Sequence, residues 1–400
     1  MTGALLPRSS GKATPSRGNA AVWSVGFRPF YIAAALFAAT AVPLWIANYA
    51  GFLHFGSYLT GRAWHAHEML FGFAPAVITG FLFTAVQNWT GQRLPHGYLL
   101  MGFVALWLAG RVTVLTGPAW LAIPFDLAFL PAVAIAIGIP IVHTRNFRNL
   151  FAVGVLLGLA AANALFHCAQ LGHLPFAAEV TAIAVSFDVL TILMAVIGGR
   201  VVPMFTRNAV PDARPTRIPH IEFCALGLLF FLLVMDLLAP WLPALTKWTG
   251  VLATMAAIVH LIRLSLWAPL ATWREPLLWI LPLSYLWIPV ALALKATTIL
   301  GDVIPISVSF HALAVGAMGG LMIGMMSRSA RGHTGRPLAA GRTETAMFLL
   351  IQAAALARIL PLIVVPSLYF GGLILSASLW AVAFTLFAIR YWPVVTRPRI

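Results

Sequence analysis

Residues 67–86, "HEMLFGFAPAVITGFLFTAV", decide the fold class of this chain. From Met69 to Val86 the stretch contains no charged side chain. An apolar run of about 20 residues crosses the hydrocarbon core of a bilayer as an α-helix, because that core is about 30 Å thick. The stretch therefore predicts a transmembrane helix that begins near His67 and Glu68.

Apolar runs of this kind recur along all 400 residues, and the composition supports the same interpretation. Hydrophobic residues make up 61% of the chain, charged residues only 9%, and the mean hydropathy is +0.93. Soluble domains contain about 25% charged residues, and the alternating segments of a transmembrane β-barrel are not seen in the sequence. The sequence thus predicts an all-α polytopic integral membrane protein of about twelve transmembrane helices. The predicted spans are 29–53, 64–87, 96–116, 119–143, 147–171, 178–203, 219–238, 241–263, 276–299, 305–327, 342–363 and 367–392.

The formal net charge of +15 is distributed asymmetrically between the predicted loops. With an internal N-terminus, the outer loops keep only Arg62 and Lys247, and the other loop cations lie inside. This is the positive-inside rule of membrane topology, so both termini are expected in the cytoplasm. The basic charge therefore needs no nucleic-acid partner, and the expected contact is the lipid bilayer.

Residues 1–22 are rich in Ser, Gly and Pro and lack the apolar region of a signal peptide. They are predicted to form a flexible cytoplasmic tail. No polar segment after them is long enough for a soluble domain, so 23–400 is expected to be a single twelve-helix transmembrane domain.

A weak internal repeat links the second and tenth spans. A shift of 244 residues places 67–94 on 311–338 and brings His67 onto His311 and Gly72 onto Gly316. A shift of 119 brings Gly80 of the second span onto Gly199 of the sixth, with Ser186 at the position of the histidine. The repeat favours three pseudo-equivalent four-helix units.

Four histidines are predicted at one level of the membrane, in its outer third: His65, His67, His167 and His311. Imidazole is a common ligand of haem iron and copper, because its neutral nitrogen is a good donor to borderline metals. The alternative for each is a helix-end histidine that only hydrogen-bonds near the headgroups. Their common level makes all four candidate ligands of a metal or a cofactor.

The spacing of His65 and His67 limits what this pair can do. Residues two apart on a regular helix point about 200° apart, so the two rings should not share a metal. The repeat pairs His67 with His311 as haem ligands and leaves His65 for a second site or a partner, with His167 the next candidate.

Several polar side chains are predicted to support these ligands. Glu68 and Asn163 are candidates for hydrogen bonds that orient the imidazoles, although Glu68 is also favoured at a first helical turn by the helix dipole. Arg111, Lys295 and Arg358 lie near the outer ends of their spans, where they can pair with haem propionates or snorkel to headgroups.

Asp188 and Asp236 are carboxylates within predicted spans. Charged groups inside a membrane usually have a function, so the two are candidates for a proton path. The alternative is that they only form hydrogen bonds inside the bundle.

Four stretches give the chain a family resemblance. "GFRPFYIAAALFA" (26–38), "WHAHEMLFGFAPAVITGFLFTAVQNWTG" (64–91), "GGRVVPMFTRN" (198–208) and "HALAVGAMGGLMIGMMSRSARGHTGR" (311–336) resemble the NnrS family. The resemblance implies a bacterial inner-membrane protein that binds haem, expected to be b-type, with copper as a further cofactor. It also implies a link to nitric oxide and nitrosative stress.

An analogy with heme-copper oxidase subunit I extends this interpretation, since that subunit also has twelve helices in three pseudo-equivalent units and haem near the outer side. This sequence departs from it, because span ten lacks a His-x-His and spans six and seven lack histidines for copper. A complete binuclear centre is therefore not expected.

The histidines predict a haem-binding membrane protein. The resemblance implies that it lies in the inner membrane, binds, senses or turns over nitric oxide or iron-nitrosyl species, and protects against nitrosative stress. Turnover would make it a redox enzyme acting on nitric oxide. The metal level is expected near the periplasmic side. One alternative is a proton- or metal-coupled transporter of small molecules, and another is an assembly partner of haem-copper enzymes.

Overall fold

The structure, a computed structural model, describes residues 21–55 and 57–400. Residues 1–20, which make up most of the predicted tail, lie outside the described residues, and Ala21 is buried in a helical turn. Within the described ranges twelve helices are long and apolar enough to cross a membrane. The predicted all-α, polytopic fold class is therefore confirmed.

The twelve helices are α1 Phe27–Tyr49, α2 Gly61–Thr90, α3 Gly97–Thr116, α4 Ala119–His143, α5 Phe151–Gln170, α6 Phe176–Ala209, α7 Pro219–Leu238, α8 Thr246–Ser265, α9 Pro276–Gly301, α10 Ser307–His333, α11 Arg342–Val364 and α12 Tyr369–Thr396. Short 3₁₀ turns precede α5, α8, α9 and α12. Several helices extend beyond the predicted spans, as α6 does past 203 and α10 past 327. An apolar window ends at the first charged residues, whereas a helix continues because its backbone hydrogen bonds are satisfied internally.

The helices pack as successive neighbours, and α1 packs against α12. Helices α2 and α10 lie innermost, since 89% and 78% of their apolar windows are buried. Large apolar side chains such as Ile139, Phe231, Leu349 and Ile389 are exposed on the outward faces of other helices. These faces are suited to contact with the lipid bilayer.

Two ends of the bundle are distinguished by the chain direction. At one end of the bundle the even-numbered helices begin and the odd-numbered helices end. We call it the histidine end, because four histidines lie there: His65, His67, His167 and His311. The opposite end, where the even-numbered helices finish, is called the arginine end. Sequence analysis predicts that the histidine end is periplasmic.

Helices α2 and α10 share an irregularity of the backbone. Each contains a π-helical segment, Glu68–Phe73 in α2 and Ala312–Gly319 in α10, and the two segments begin 244 residues apart. His67 and His311 immediately precede these segments. The backbone thus repeats between α2 and α10 in the register of the sequence repeat, whereas α6 is α-helical throughout; the three-unit arrangement stays a prediction.

Candidate functional site

A cluster of buried polar side chains lies at the histidine end, between helices α2 to α5. Its centre is Asp126 of α4, which is only 3% exposed. The surrounding side chains come from the other three helices and are also buried: His67 and Glu68 of α2, Arg111 of α3, and Asn163 and His167 of α5. The cluster thus ties four helices together at one depth.

One carboxylate oxygen of Asp126 is shared by both histidines. His67 Nε2 lies 3.0 Å and His167 Nε2 2.9 Å from Asp126 Oδ2. Asn163 donates from Nδ2 to the same oxygen at 2.6 Å, and Arg111 donates to the other oxygen, Oδ1. Asp126 therefore collects donors from α2, α3 and α5.

The outer nitrogen of each imidazole also has a partner. His67 Nδ1 donates to Glu68 Oε1 at 3.0 Å, and Tyr58 Oη is 2.8 Å from His167 Nδ1. Metal-binding histidines usually hydrogen-bond in this way through the nitrogen that faces away from the metal, which fixes the ring and the tautomer. Both rings are thus held with Nε2 turned toward Asp126.

His67, Asp126 and His167 form a group of side chains that could hold a metal ion. One ligand atom each from His67, Asp126 and His167 can be chosen so that all lie within 4.8 Å of one another. Two imidazoles and a carboxylate suit iron(II), copper or zinc. The three residues can therefore hold a metal ion at the histidine end.

The charge of the cluster agrees with a bound cation. Glu68 and Asp126 bring two negative charges and Arg111 brings one positive charge, with Arg111 Nη1 2.7 Å from Glu68 Oε1. Neutral imidazoles leave one negative charge in a buried site, where an uncompensated charge is strongly unfavourable. A proton on His67 or a metal ion between the Nε2 atoms would compensate it.

A second pair of histidines lies on the other side of α2. The rings of His65 and His311 are nearly parallel, with centroids 6.5 Å apart and planes inclined by 13°. Trp45 of α1 stacks on His65 with a centroid distance of 4.1 Å. His65 and His67 thus belong to different clusters, as their spacing predicts.

Sequence analysis paired His67 with His311, but the structure places His311 beside His65. The reason is the direction of the side chains: His67 faces α4 and α5, whereas His65 faces α1 and α10. The repeat relates the backbones of α2 and α10 but not the surroundings of their histidines. Whether any of these histidines ligates stays a prediction.

The three cations predicted to pair with propionates differ in their partners. Arg111 is bound by Glu68 and Asp126, and Lys295 lies between Asp188 and Asp236. Arg358 is buried within electrostatic reach of His65 and His311, and it forms no ion pair with a described carboxylate. Its guanidinium lies 5.4 Å from the centroid of the Tyr369 ring. Of the three, Arg358 is thus the cation whose charge no described carboxylate balances.

Asp188 and Asp236, the candidates for a proton path, converge on Lys295. Lys295 Nζ is 3.7 Å from Asp188 Oδ1 and in close contact with Asp236 Oδ2. Asp188 Oδ2 is buried without a hydrogen-bond partner among the described residues. The three residues form a second charged cluster, on α6, α7 and α9.

Sequence reasoning missed Asp126 and Tyr58. Asp126 is a carboxylate inside a predicted span, so the rule that intramembrane charges are functional could have singled it out. Tyr58 lies in the loop before α2. No sequence signal distinguishes it from the other loop residues.

The fold and the site define a class: a polytopic helical membrane protein with a buried candidate metal centre between its helices. The chain belongs to the NnrS family, since the family model described as NnrS protein matches residues 21–399. The family resemblance of the four sequence stretches is thereby confirmed. Among curated proteins no relative matches the chain.

Proposed function

We propose that this protein carries a metal ion at His67, Asp126 and His167 and a haem at His65 and His311, and that it binds, senses or turns over nitric oxide or iron-nitrosyl species. The observation that carries the proposal is the convergence of the three ligand atoms within 4.8 Å. Membership of the NnrS family supports the link to nitric oxide. A bound iron or copper ion would supply a coordination position for nitric oxide.

The residues at the haem site fit such a group in three respects. His311 Nδ1 donates to Ser307 O at 2.6 Å, so its Nε2 carries the free lone pair. His65 Nδ1 and Arg358 Nε are buried without partners among the described residues. The rings of His65 and His311 are close and nearly parallel, with centroids 6.5 Å apart, so these two residues would hold the haem, which would supply an iron for nitric oxide.

The side chains around these ligands have defined tasks in this proposal. Glu68 and Tyr58 hold the two imidazoles of the metal site in position, and Arg111 partly neutralises the two carboxylates. Arg358 would bind an acidic group of the haem, because its charge has no described carboxylate partner. Trp45 holds the His65 ring by stacking.

The charge asymmetry of the loops supports a location for the protein. We place it in the bacterial inner membrane with both termini in the cytoplasm. Both histidine sites would then lie near the periplasmic side, at the end where α2 and α10 begin.

Metal and haem analysis of the purified full chain tests the proposal. We expect His167→Ala to lose the metal but keep the haem, and His311→Ala to lose the haem but keep the metal. The control is His173→Ala, an exposed histidine at the same end, which should keep both. A wild-type protein without metal and without a Soret band would contradict the cofactors, and an unchanged spectrum on addition of nitric oxide would contradict its binding.

A second candidate function, transport coupled to protons, is favoured by the buried Lys295, Asp188 and Asp236 cluster. Its unpartnered Asp188 Oδ2 is suited to take up a proton. Proton flux into proteoliposomes measures this function. A flux that Asp188→Asn abolishes, and that Asp212→Asn at an exposed position leaves unchanged, would favour transport. Lack of any flux would exclude it.

A further inference from the structure

A cavity of about 890 Å³ lies at the arginine end, opposite to the histidine sites. It is lined by the final turns of α2, α6 and α10, together with the loops before α5, α7 and α9. Apolar side chains such as Trp89 and Met204 form part of its wall. The proposed haem and metal sites use none of the residues that line it.

The polar lining of the cavity is mainly cationic. The carboxylate in its lining is Glu275. Four arginines line it as well: Arg148, Arg200, Arg217 and Arg328. Arg217 already pairs with Glu222 at 3.0 Å. Glu222 also pairs with Arg263 at 2.7 Å, so it neutralises Arg217 only in part. The other three arginines face one carboxylate, which leaves at least two positive charges uncompensated.

Arg328 is the side chain that the topology of the membrane does not explain. Positive-inside arginines are normally solvated in loops, whereas Arg328 is only 8% exposed and its guanidinium lies 4.1 Å from the centroid of the Phe205 ring. It forms no hydrogen bond or ion pair with a described residue. Its donors are therefore free for a ligand in the cavity.

Arg200 lies on α6 and lines the cavity together with Arg328 of α10. Its Nη1 donates to Asn149 Oδ1 at 2.8 Å, and its guanidinium lies 4.9 Å from the centroid of the Phe151 ring. Asn149 is fully buried, so this contact fixes the arginine. The remaining donors of the guanidinium stay available.

We propose that this cavity binds a phosphate dianion, as inorganic phosphate or as the phosphomonoester of a larger molecule. A phosphomonoester carries a charge of about −1.5 to −2 at neutral pH, which matches the two uncompensated positive charges, whereas a carboxylate matches one. Arginine binds phosphate oxygens with paired donors. The apolar wall accommodates the body of a phosphomonoester, which can come from a soluble compound or from a lipid such as phosphatidate.

Binding of radiolabelled inorganic phosphate to the purified full chain tests the proposal. We expect saturable binding that falls at least tenfold in Arg328→Gln and in Arg200→Gln and is restored in part by Arg328→Lys. The matched control, Arg342→Gln, removes an exposed arginine at the same end outside the cavity and should bind as the wild type does. Because Arg200 is only half-buried, its variant keeps the test valid if Arg328→Gln does not fold.

A second measurement separates the two sources of the phosphate. The wild type and Arg328→Gln are placed in nanodiscs with or without phosphatidate, and retained lipid is counted by native mass spectrometry. Retention of phosphatidate that depends on Arg328 supports a lipid source. If no phosphatidate is retained, and unlabelled inorganic phosphate or glycerol 3-phosphate displaces the radiolabelled phosphate, the source is soluble. Binding of neither, or binding of acetate as tight as that of phosphate, would overturn the proposal.

Discussion

Asp126 determines the arrangement of the histidine-end cluster, because donors from α2, α3 and α5 converge on its two oxygens. Removing its charge leaves Arg111 with Glu68 as its carboxylate partner. The cluster then becomes neutral, so the cost lies in the hydrogen bonds that Asp126 accepts, because buried donors left without an acceptor are unfavourable. We therefore expect Asp126 to contribute to stability and, in the proposed function, to metal binding.

We expect Asp126→Asn to lower the free energy of unfolding by about 1–3 kcal/mol, the cost of buried donors that lose their acceptor, and to abolish metal binding. The amide keeps the shape of the side chain, but it lacks the negative charge that a metal requires and turns an NH2 group toward the donors around it. Unfolding of the purified protein in detergent and its metal content measure the two effects.

The control for this variant is Arg217→Gln. Arg217 also belongs to an ion pair, but its side chain is 47% exposed, and exposed pairs contribute about 0–1 kcal/mol. If Asp126→Asn unfolded as readily as this control and still held metal, the assignment of Asp126 would be wrong.

At the same scale, the sequence identified individual side chains better than their partners. Residue type and depth singled out His65, His67, His167 and His311, because imidazoles are rare in apolar spans. Pairing depends on which face of α2 meets which helix, and that is a property of the packed bundle. The sequence therefore favoured a pair of His67 and His311, whereas the structure places His65 beside His311.

At the scale of the element, the π segment of α2 shapes the path of Arg111. Gly72 lies within this segment, and its carbonyl accepts a hydrogen bond from Trp107 Nε1 at 2.9 Å. A Cβ at Gly72 would lie 2.7 Å from Arg111 Nη1 and 3.1 Å from Glu68 Oε2. A glycine at this position therefore leaves space for the Arg111 guanidinium to pass beside α2 and contact Glu68 and Asp126.

We expect Gly72→Ala to destabilise the protein by about 1–3 kcal/mol, the usual effect of overpacking, and to weaken metal binding by displacing Arg111. The matched control is Gly102→Ala in α3, where an added Cβ meets nothing within 4 Å. That substitution should be neutral or stabilise by up to about 1 kcal/mol, since alanine favours helix. Thermal unfolding of both variants decides, and equal melting temperatures would contradict the role of Gly72.

The sequence predicted the spans but not these irregular segments. Hydropathy depends on composition, which the apolar windows record directly, so all twelve helices could be found. A π segment has no residue signature of its own. The repeat between His67 and His311 predicted that α2 and α10 are equivalent, but not that both contain a π segment.

At the scale of the whole molecule, the bundle separates two kinds of chemistry. Histidines and carboxylates gather at the histidine end, and arginines gather around the cavity at the arginine end. The charge asymmetry that predicts the orientation thus also assigns each site to a compartment. The orientation is accordingly a prediction on which both proposals depend for their biological setting.

Labelling of single cysteines in intact spheroplasts tests this orientation. Cys168 and Cys224 are first replaced by alanine, and a cysteine is then introduced at exposed His173 of the histidine end or at exposed Asp212 of the arginine end. With a membrane-impermeant maleimide, we expect His173→Cys to react in intact cells and Asp212→Cys to react only after lysis, because cations hold the arginine end inside. The reverse pattern would place the histidine sites on the cytoplasmic side and the arginine cavity outside. It would contradict both the proposed periplasmic position of the metal and the binding of a cytoplasmic phosphate.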